Sequence, residues 1–162
     1  MFEYRIATEA DLEALWAENI RKNPDDPRWV RWRDEYISYN RCGRALTFAV
    51  VHDGTPVGEG TLLFDPTVKA IGGRLQLADG KTVTNVNALR IRKEFEGQGH
   101  ISRLVHMMED YAREHGYSRI TIGVEAAETR NLAIYLHWGY DQLVHYAIED
   151  GELVLYYQKS LI

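Results

Sequence analysis

The chain reads as a mixed α/β fold of the α+β kind: a central, mostly antiparallel twisted sheet of about seven strands with four helices against it. Three observations predict this. Stretches alternating apolar and polar residues are separated by hairpin turns such as Asp53-Gly54 and Glu149-Asp150-Gly151. A strand-like run over 82–92 enters a glycine-spaced loop, and the loop runs straight into an amphipathic helix. Finally, the elements follow one another as β-α-α-β-β-β-α-β-α-β-β, which needs at least one parallel crossover among the hairpins.

Each element has a local cause. Phe2 to Ala7 alternates and reads as a strand. Thr8-Glu-Ala-Asp11 is a capping-box start for a helix with Leu12, Leu15, Trp16 and Ile20 on one stripe. Pro24 and Pro27 break that helix, because neither fits a helix interior. A second helix over about 28–40 carries Trp29, Trp32, Tyr36 and Ile37. Ala45–His52 and Pro56–Phe64 form a hairpin around Asp53-Gly54, and 65–82 is a loop containing turns. From 99 to 115, Ile101, Leu104, Val105, Met108, Tyr111 and Ala112 make an i, i+3, i+4, i+7 stripe. Arg103, Glu109, Asp110, Arg113 and Glu114 fall on its wet face, and Gly116 ends it. A strand over 119–124, a helix over 128–138 stopped by Gly139, and strands over 140–148 and 152–159 complete the chain.

Composition narrows the function classes. With 162 residues the chain suits one domain, and 45% hydrophobic with 27% charged residues is ordinary for a globular protein. No apolar run approaches the roughly 20 residues of a membrane span. No basic stretch leads into an apolar one at the N-terminus, so no secretory signal is expected. Cys42 is the single cysteine, which excludes an intrachain disulfide and favours a cytoplasmic location. A net charge of −5 disfavours nucleic acid and suits a cationic partner. Six histidines are present without metal-ligand spacing, so no metal is expected.

The chemistry concentrates in Leu89-Arg-Ile-Arg-Lys-Glu-Phe-Glu-Gly-Gln-Gly-His-Ile-Ser-Arg103. Gly97 and Gly99 allow positive φ and close approach of a ligand to the backbone. The helix start beyond them adds about half a positive charge and free N–H groups, a site for phosphate or pyrophosphate. Taken alone, the pair also fits a plain tight turn. No Gly-Lys-Ser/Thr follows, which excludes a Walker loop, and Ser102 stands where a dinucleotide fingerprint needs Gly or Ala. About 30 residues on lies Glu128-Thr-Arg-Asn131-Leu-Ala-Ile-Tyr135-Leu-His-Trp-Gly139-Tyr140.

Together the two segments resemble the GNAT superfamily of acetyl-CoA-dependent N-acetyltransferases. In that family a strand leads into an Arg/Gln-x-x-Gly-x-Gly/Ala loop that binds the CoA pyrophosphate. A later helix carries Asn-x-x-Ala-x-x-x-Tyr-x-x-x-Gly-Phe. The resemblance covers nearly the whole chain and implies a single GNAT domain over 1–162 with acetyl-CoA as co-substrate. It implies cofactor contacts from Leu89, Arg90, Ile91, Glu96, Gly97, Gln98, Gly99, His100, Ile101, Ser102, Arg103, Asn131 and Tyr135. It further implies direct attack of an acceptor amine on the thioester, with Tyr135 protonating the departing sulfur. Glu96, Ile101 and Glu128 depart from the pattern and support an alternative, a CoA-binding or sensing module without turnover.

Asn85 stands where some relatives carry a glutamate base, and it cannot serve. Glu125 is the substitute, and water-relayed deprotonation also fits. The first two helices would build the acceptor site, with Trp29, Trp32 and Tyr36 as its wall, although such a stripe also suits a core. The expected acceptor is a small cationic amine, or else a peptide amine. The resemblance admits a homodimer.

Overall fold

A computed structural model describes all residues from Met1 to Ile162. It contains β1 (Phe2–Ile6), α1 (Glu9–Lys22), α2 (Arg28–Arg41), β2 (Ala45–His52), β3 (Thr55–Leu63), β4 (Val83–Ile91), α3 (His100–Glu114), β5 (Arg119–Glu125), α4 (Thr129–His137), β6 (Gln142–Glu149) and β7 (Glu152–Ser160). The seven strands form one sheet in the order β1-β2-β3-β4-β5-β7-β6. The predicted element order and type hold throughout, with boundaries shifted by one or two residues.

Two compact units share the chain. One is Met1–Leu62 with Ala88–Met108, the other Leu63–Asn87 with Glu109–Ile162. In the first, the Thr8 hydroxyl accepts the Asp11 N–H at 3.1 Å and the Asp11 carboxylate accepts the Thr8 N–H at 3.0 Å. Both halves of the capping box are therefore made, a device worth about 1 kcal/mol. β1 and β2 pair antiparallel from Phe2↔His52 to Ile6↔Phe48. The apolar stripe of α1 packs Leu15 with Ala49 and Val51 of β2 in one buried cluster, and Leu12 and Trp16 on the same stripe are buried too. The turn after β2 uses Asp53 at φ 48° and Gly54 at φ 82°, the primed geometry that matches strand twist. Pro27 sits at the N-cap of α2, where its missing N–H costs nothing.

The second unit begins with an irregular stretch over 64–82. Asp79 organises its end: its Oδ1 accepts the backbone N–H groups of Lys81, Thr82 and Val83 at 2.7–2.9 Å. β4 and β5 pair in parallel from Val83↔Arg119 to Val86↔Ile122. β5 pairs antiparallel with β7, and β7 with β6 around a turn with Asp150 at φ 49° and Gly151 at φ 80°.

One assignment is corrected. Helical period puts Glu109 on the wet face of α3, yet it is only 2% exposed. Its Oε2 accepts the Tyr140 hydroxyl at 2.7 Å, and Lys159 Nζ reaches both carboxylate oxygens at 3.1 Å. A carboxylate survives burial when its lone pairs are filled and its charge is paired. The partners lie 31 and 50 residues away, beyond the reach of a local pattern.

Candidate active site

The loop after β4 starts with a 3₁₀ turn at Lys93–Phe95 and continues through Glu96 in an extended conformation. Gly97 then adopts φ 73° and Gly99 φ 85°, both in the left-handed region that favours glycine. A Cβ at either position would meet nothing within 4 Å, so conformation and not crowding demands glycine here. His100 opens α3, whose first turn contains no acidic residue. The first N–H groups of a helix lack intrahelical acceptors and point along the axis, which favours an anion. Residues 96–99 are exposed and Ile101 and Ser102 are half-buried. Arg103 is exposed, with its guanidinium 4.5 Å over the Tyr4 ring. These residues could hold the diphosphate end of CoA through backbone donors and one exposed cation, Arg103.

The side chains of Gln98 and His100 are spent elsewhere. The Tyr4 hydroxyl donates to His100 Nδ1 at 2.6 Å, and His100 Nε2 donates to Gln98 Oε1 at 3.1 Å, the tautomer both bonds require. Burial, followed by the nearby Arg103 charge, pushes the His100 imidazole below its ordinary pKa. His100 therefore fixes the start of α3 against β1, and only its backbone remains for a ligand.

The strand before the loop carries a feature that sequence reading missed. Ala88 has φ 57°, uncommon for a residue with a Cβ. It lies just past Val86, where the parallel register with β5 ends. From Asn87 to Ile91 the strand is only half-buried. Leu89 and Ile91 turn to the face of Gly60 and Gly58. A Cβ on Gly60 would lie 2.8 Å from Leu89 Cδ2 and 2.9 Å from Met108 Sδ, so this close packing needs glycine. Arg90 turns the other way, and its side chain meets the carboxylate of Glu59 and the rings of Trp16 and Trp29. No positional rule marks a strained alanine inside a strand.

The expected acceptor wall forms a cluster of packed rings. Ring centroids of Trp29 and Trp32 lie 5.0 Å apart, those of Trp16 and Tyr36 5.4 Å, and those of Trp16 and Trp29 6.3 Å. Tyr36 is buried, which pushes its phenol well above the ordinary range; Trp29 and Trp32 are half-buried. Sequence reading missed Glu59, a buried carboxylate bonded to Asn19 and to the Arg90 that lies over the Trp16 and Trp29 rings.

Tyr135, Asn131 and Glu125 belong to the second unit. Tyr135 lies in α4 against Trp138, with ring centroids 5.7 Å apart. Burial first, and the Glu128 carboxylate second, raise its phenol above the ordinary value, so it is a proton donor at neutral pH. Asn131 Nδ2 donates to Glu128 Oε2 at 2.7 Å. Glu125 ends β5 with an exposed side chain, and its carbonyl accepts the Glu128 N–H at 2.9 Å. The structure thus joins Glu125, Glu128 and Asn131 around the start of α4, one to two turns before Tyr135.

Comparisons with known proteins give the family and the fold. The model of the Acetyltransferase (GNAT) family matches residues 9–140. Among solved structures, yncA of Salmonella typhimurium, described as an acetyltransferase and solved with acetyl-CoA, is 11% identical with a TM-score of 0.73. The match covers 100% of this chain and 95% of that one. The ribosomal-protein-S18-alanine N-acetyltransferase of Escherichia coli is 16% identical with a TM-score of 0.72, covering 99% and 94%. Aminoglycoside 6'-acetyltransferase type Ii is 14% identical with a TM-score of 0.75, covering 99% and 97%. No curated protein matches the chain by sequence. The chain belongs to the GNAT family of acetyltransferases, acyltransferases that use acetyl-CoA.

Proposed function

We propose that this protein transfers an acetyl group from acetyl-CoA to the primary amine of a small cationic molecule or a peptide by direct attack. One observation carries this reading: a loop with two glycines at positive φ feeds a helix whose first turn has no acid. Acetyl-CoA supplies an activated thioester when bound. Backbone N–H groups from Gly97 to Ser102 would hold its diphosphate, with help from Arg103. The half-buried backbone of Leu89–Ile91 would run beside its pantetheine arm.

The remaining work falls to side chains. Tyr135 keeps its proton at neutral pH and would give it to the leaving sulfur. It enters this reading through the motif it matches. Glu125 is exposed at the end of β5 and would take the amine proton, directly or through water. A net charge of −5 favours a cationic acceptor. The named structural neighbours act on protein amines and on aminoglycosides, which brackets the acceptor class. The free, exposed Cys42 suits the cytoplasm.

The test is a thiol-release assay with acetyl-CoA over a panel of polyamines, aminoglycosides, amino-acid amides and short peptides. Release that depends on one amine class is the expected result. Tight CoA binding with no release for any amine would replace the enzyme by a CoA-sensing module.

A further inference from the structure

Glu59 lies in the middle of β3 and is 2% exposed. Its Oε2 accepts Asn19 Nδ2 from α1 at 2.8 Å and Arg90 Nε from β4 at 3.3 Å. Its Oε1 is buried with no hydrogen-bond partner. Buried carboxylate oxygens are almost always filled, because an unmade bond costs the full desolvation of the acceptor. An orphan in such a place marks a missing donor.

The surroundings narrow what the donor is. The Arg90 guanidinium lies 5.1 Å from the ring centroids of both Trp16 and Trp29. Two aromatic rings and a carboxylate that meet one guanidinium form a cation site, and Arg90 occupies part of it. Trp16, Asn19 and Glu59 are each less than a tenth exposed, whereas the Arg90 side chain is 30% exposed. Arg90 and the half-buried Trp29 thus cover the group, and of the two side chains bonded to Glu59 Arg90 is the more exposed. The elements that meet here are α1, α2, β3 and the outer end of β4.

We infer that Glu59 is the anchor of the acceptor. Its Oε1 accepts an N–H of the substrate's ammonium against the Trp16 and Trp29 rings, with Arg90 as the gate. Glu59 then sets specificity for amines over neutral nucleophiles. The inference rests on the acetyltransferase reading but is tested apart from it.

The experiment follows intrinsic tryptophan fluorescence of the full chain, without acetyl-CoA, as butylamine, spermidine and alanyl-glycine amide are added. Each is paired with its fully N-acetylated form, which carries no ammonium. Expected is saturable quenching by at least one amine, none by its acetylated partner, and affinity weakened at least tenfold in Glu59→Gln, about 1.4 kcal/mol. Glu59→Asp keeps the charge, gives an intermediate loss, and serves should the glutamine variant not fold. With acetyl-CoA present, the same variants raise the acceptor KM and leave the acetyl-CoA KM unchanged. Equal affinity in a folded Glu59 variant, or quenching by no wild-type amine, overturns the assignment and leaves Oε1 to an ordered water. Thiol release failing for every amine while quenching persists would instead sink the acetyltransferase reading alone.

Discussion

Glu59 and Glu109 are equally buried, on different elements and in different units, yet they are finished differently. Glu109 has Tyr140 on one oxygen and Lys159 on both. Glu59 has Asn19 and Arg90 on one oxygen and nothing on the other. A closed carboxylate acts as a strut whose worth lies in the fold. An open one next to aromatic rings keeps unused bonding capacity, which a ligand can take up. The tyrosines repeat the contrast. The Tyr140 hydroxyl is committed to Glu109, whereas no hydrogen bond commits the hydroxyl of Tyr135.

The strongest way to break the comparison is Lys159→Met. It leaves the Glu109 charge buried with only a phenol for company. A loss of about 3–5 kcal/mol is expected, read as a drop of roughly 10 °C or more in melting temperature. Glu59→Gln should change stability by no more than about 1 kcal/mol, because the Arg90 it leaves behind is partly solvated. Equal losses at the two sites would erase the distinction.

Alkaline titration sharpens it. Tyr140 is raised far above its ordinary pKa by burial, then by the Glu109 charge and hydrogen bond. Tyr156 is pushed up to about 12 by burial and then by its hydrogen bond to Glu149. Both phenols ionise more easily unfolded than folded. Their contribution is therefore complete below pH 10 and falls as the pH climbs through 12. Denaturant melts at pH 9, 10.5 and 11.5 should show a monotonic loss, shallower in Tyr140→Phe.

Tyr135→Phe tests whether an uncommitted hydroxyl is a working one. A fall in kcat of about 100-fold is expected with the acetyl-CoA KM nearly unchanged. Unaltered turnover would remove Tyr135 from the proton-donor role. The last test belongs to the loop. Gly99→Ala forces a Cβ into φ 85° and should cost roughly 1–2 kcal/mol, seen as a raised acetyl-CoA KM.

Features set by neighbours along the chain were legible beforehand. The capping box at Thr8, the turns at Asp53-Gly54 and Asp150-Gly151, the α3 stripe and the glycine pair at 97 and 99 all follow from contacts within a few residues. The loop half of the candidate site belongs to this class, because what it offers is backbone N–H groups placed by φ and ψ. Trp29, Trp32 and Tyr36 were legible as a stripe, but the carboxylate among the rings was not.

By itself, the sequence determined the order of strands and helices and the backbone shape of the loop, since turn and cap energies are local. Tertiary structure alone decided which glutamates lose water, which of their oxygens find partners, and that Ala88 takes a left-handed conformation inside β4. Asn19 and Glu59 are 40 residues apart, Glu59 and Arg90 31, and Glu109 and Lys159 50. Burial and pairing over such separations depend on which strands and helices pack together, and no short window of residues encodes that.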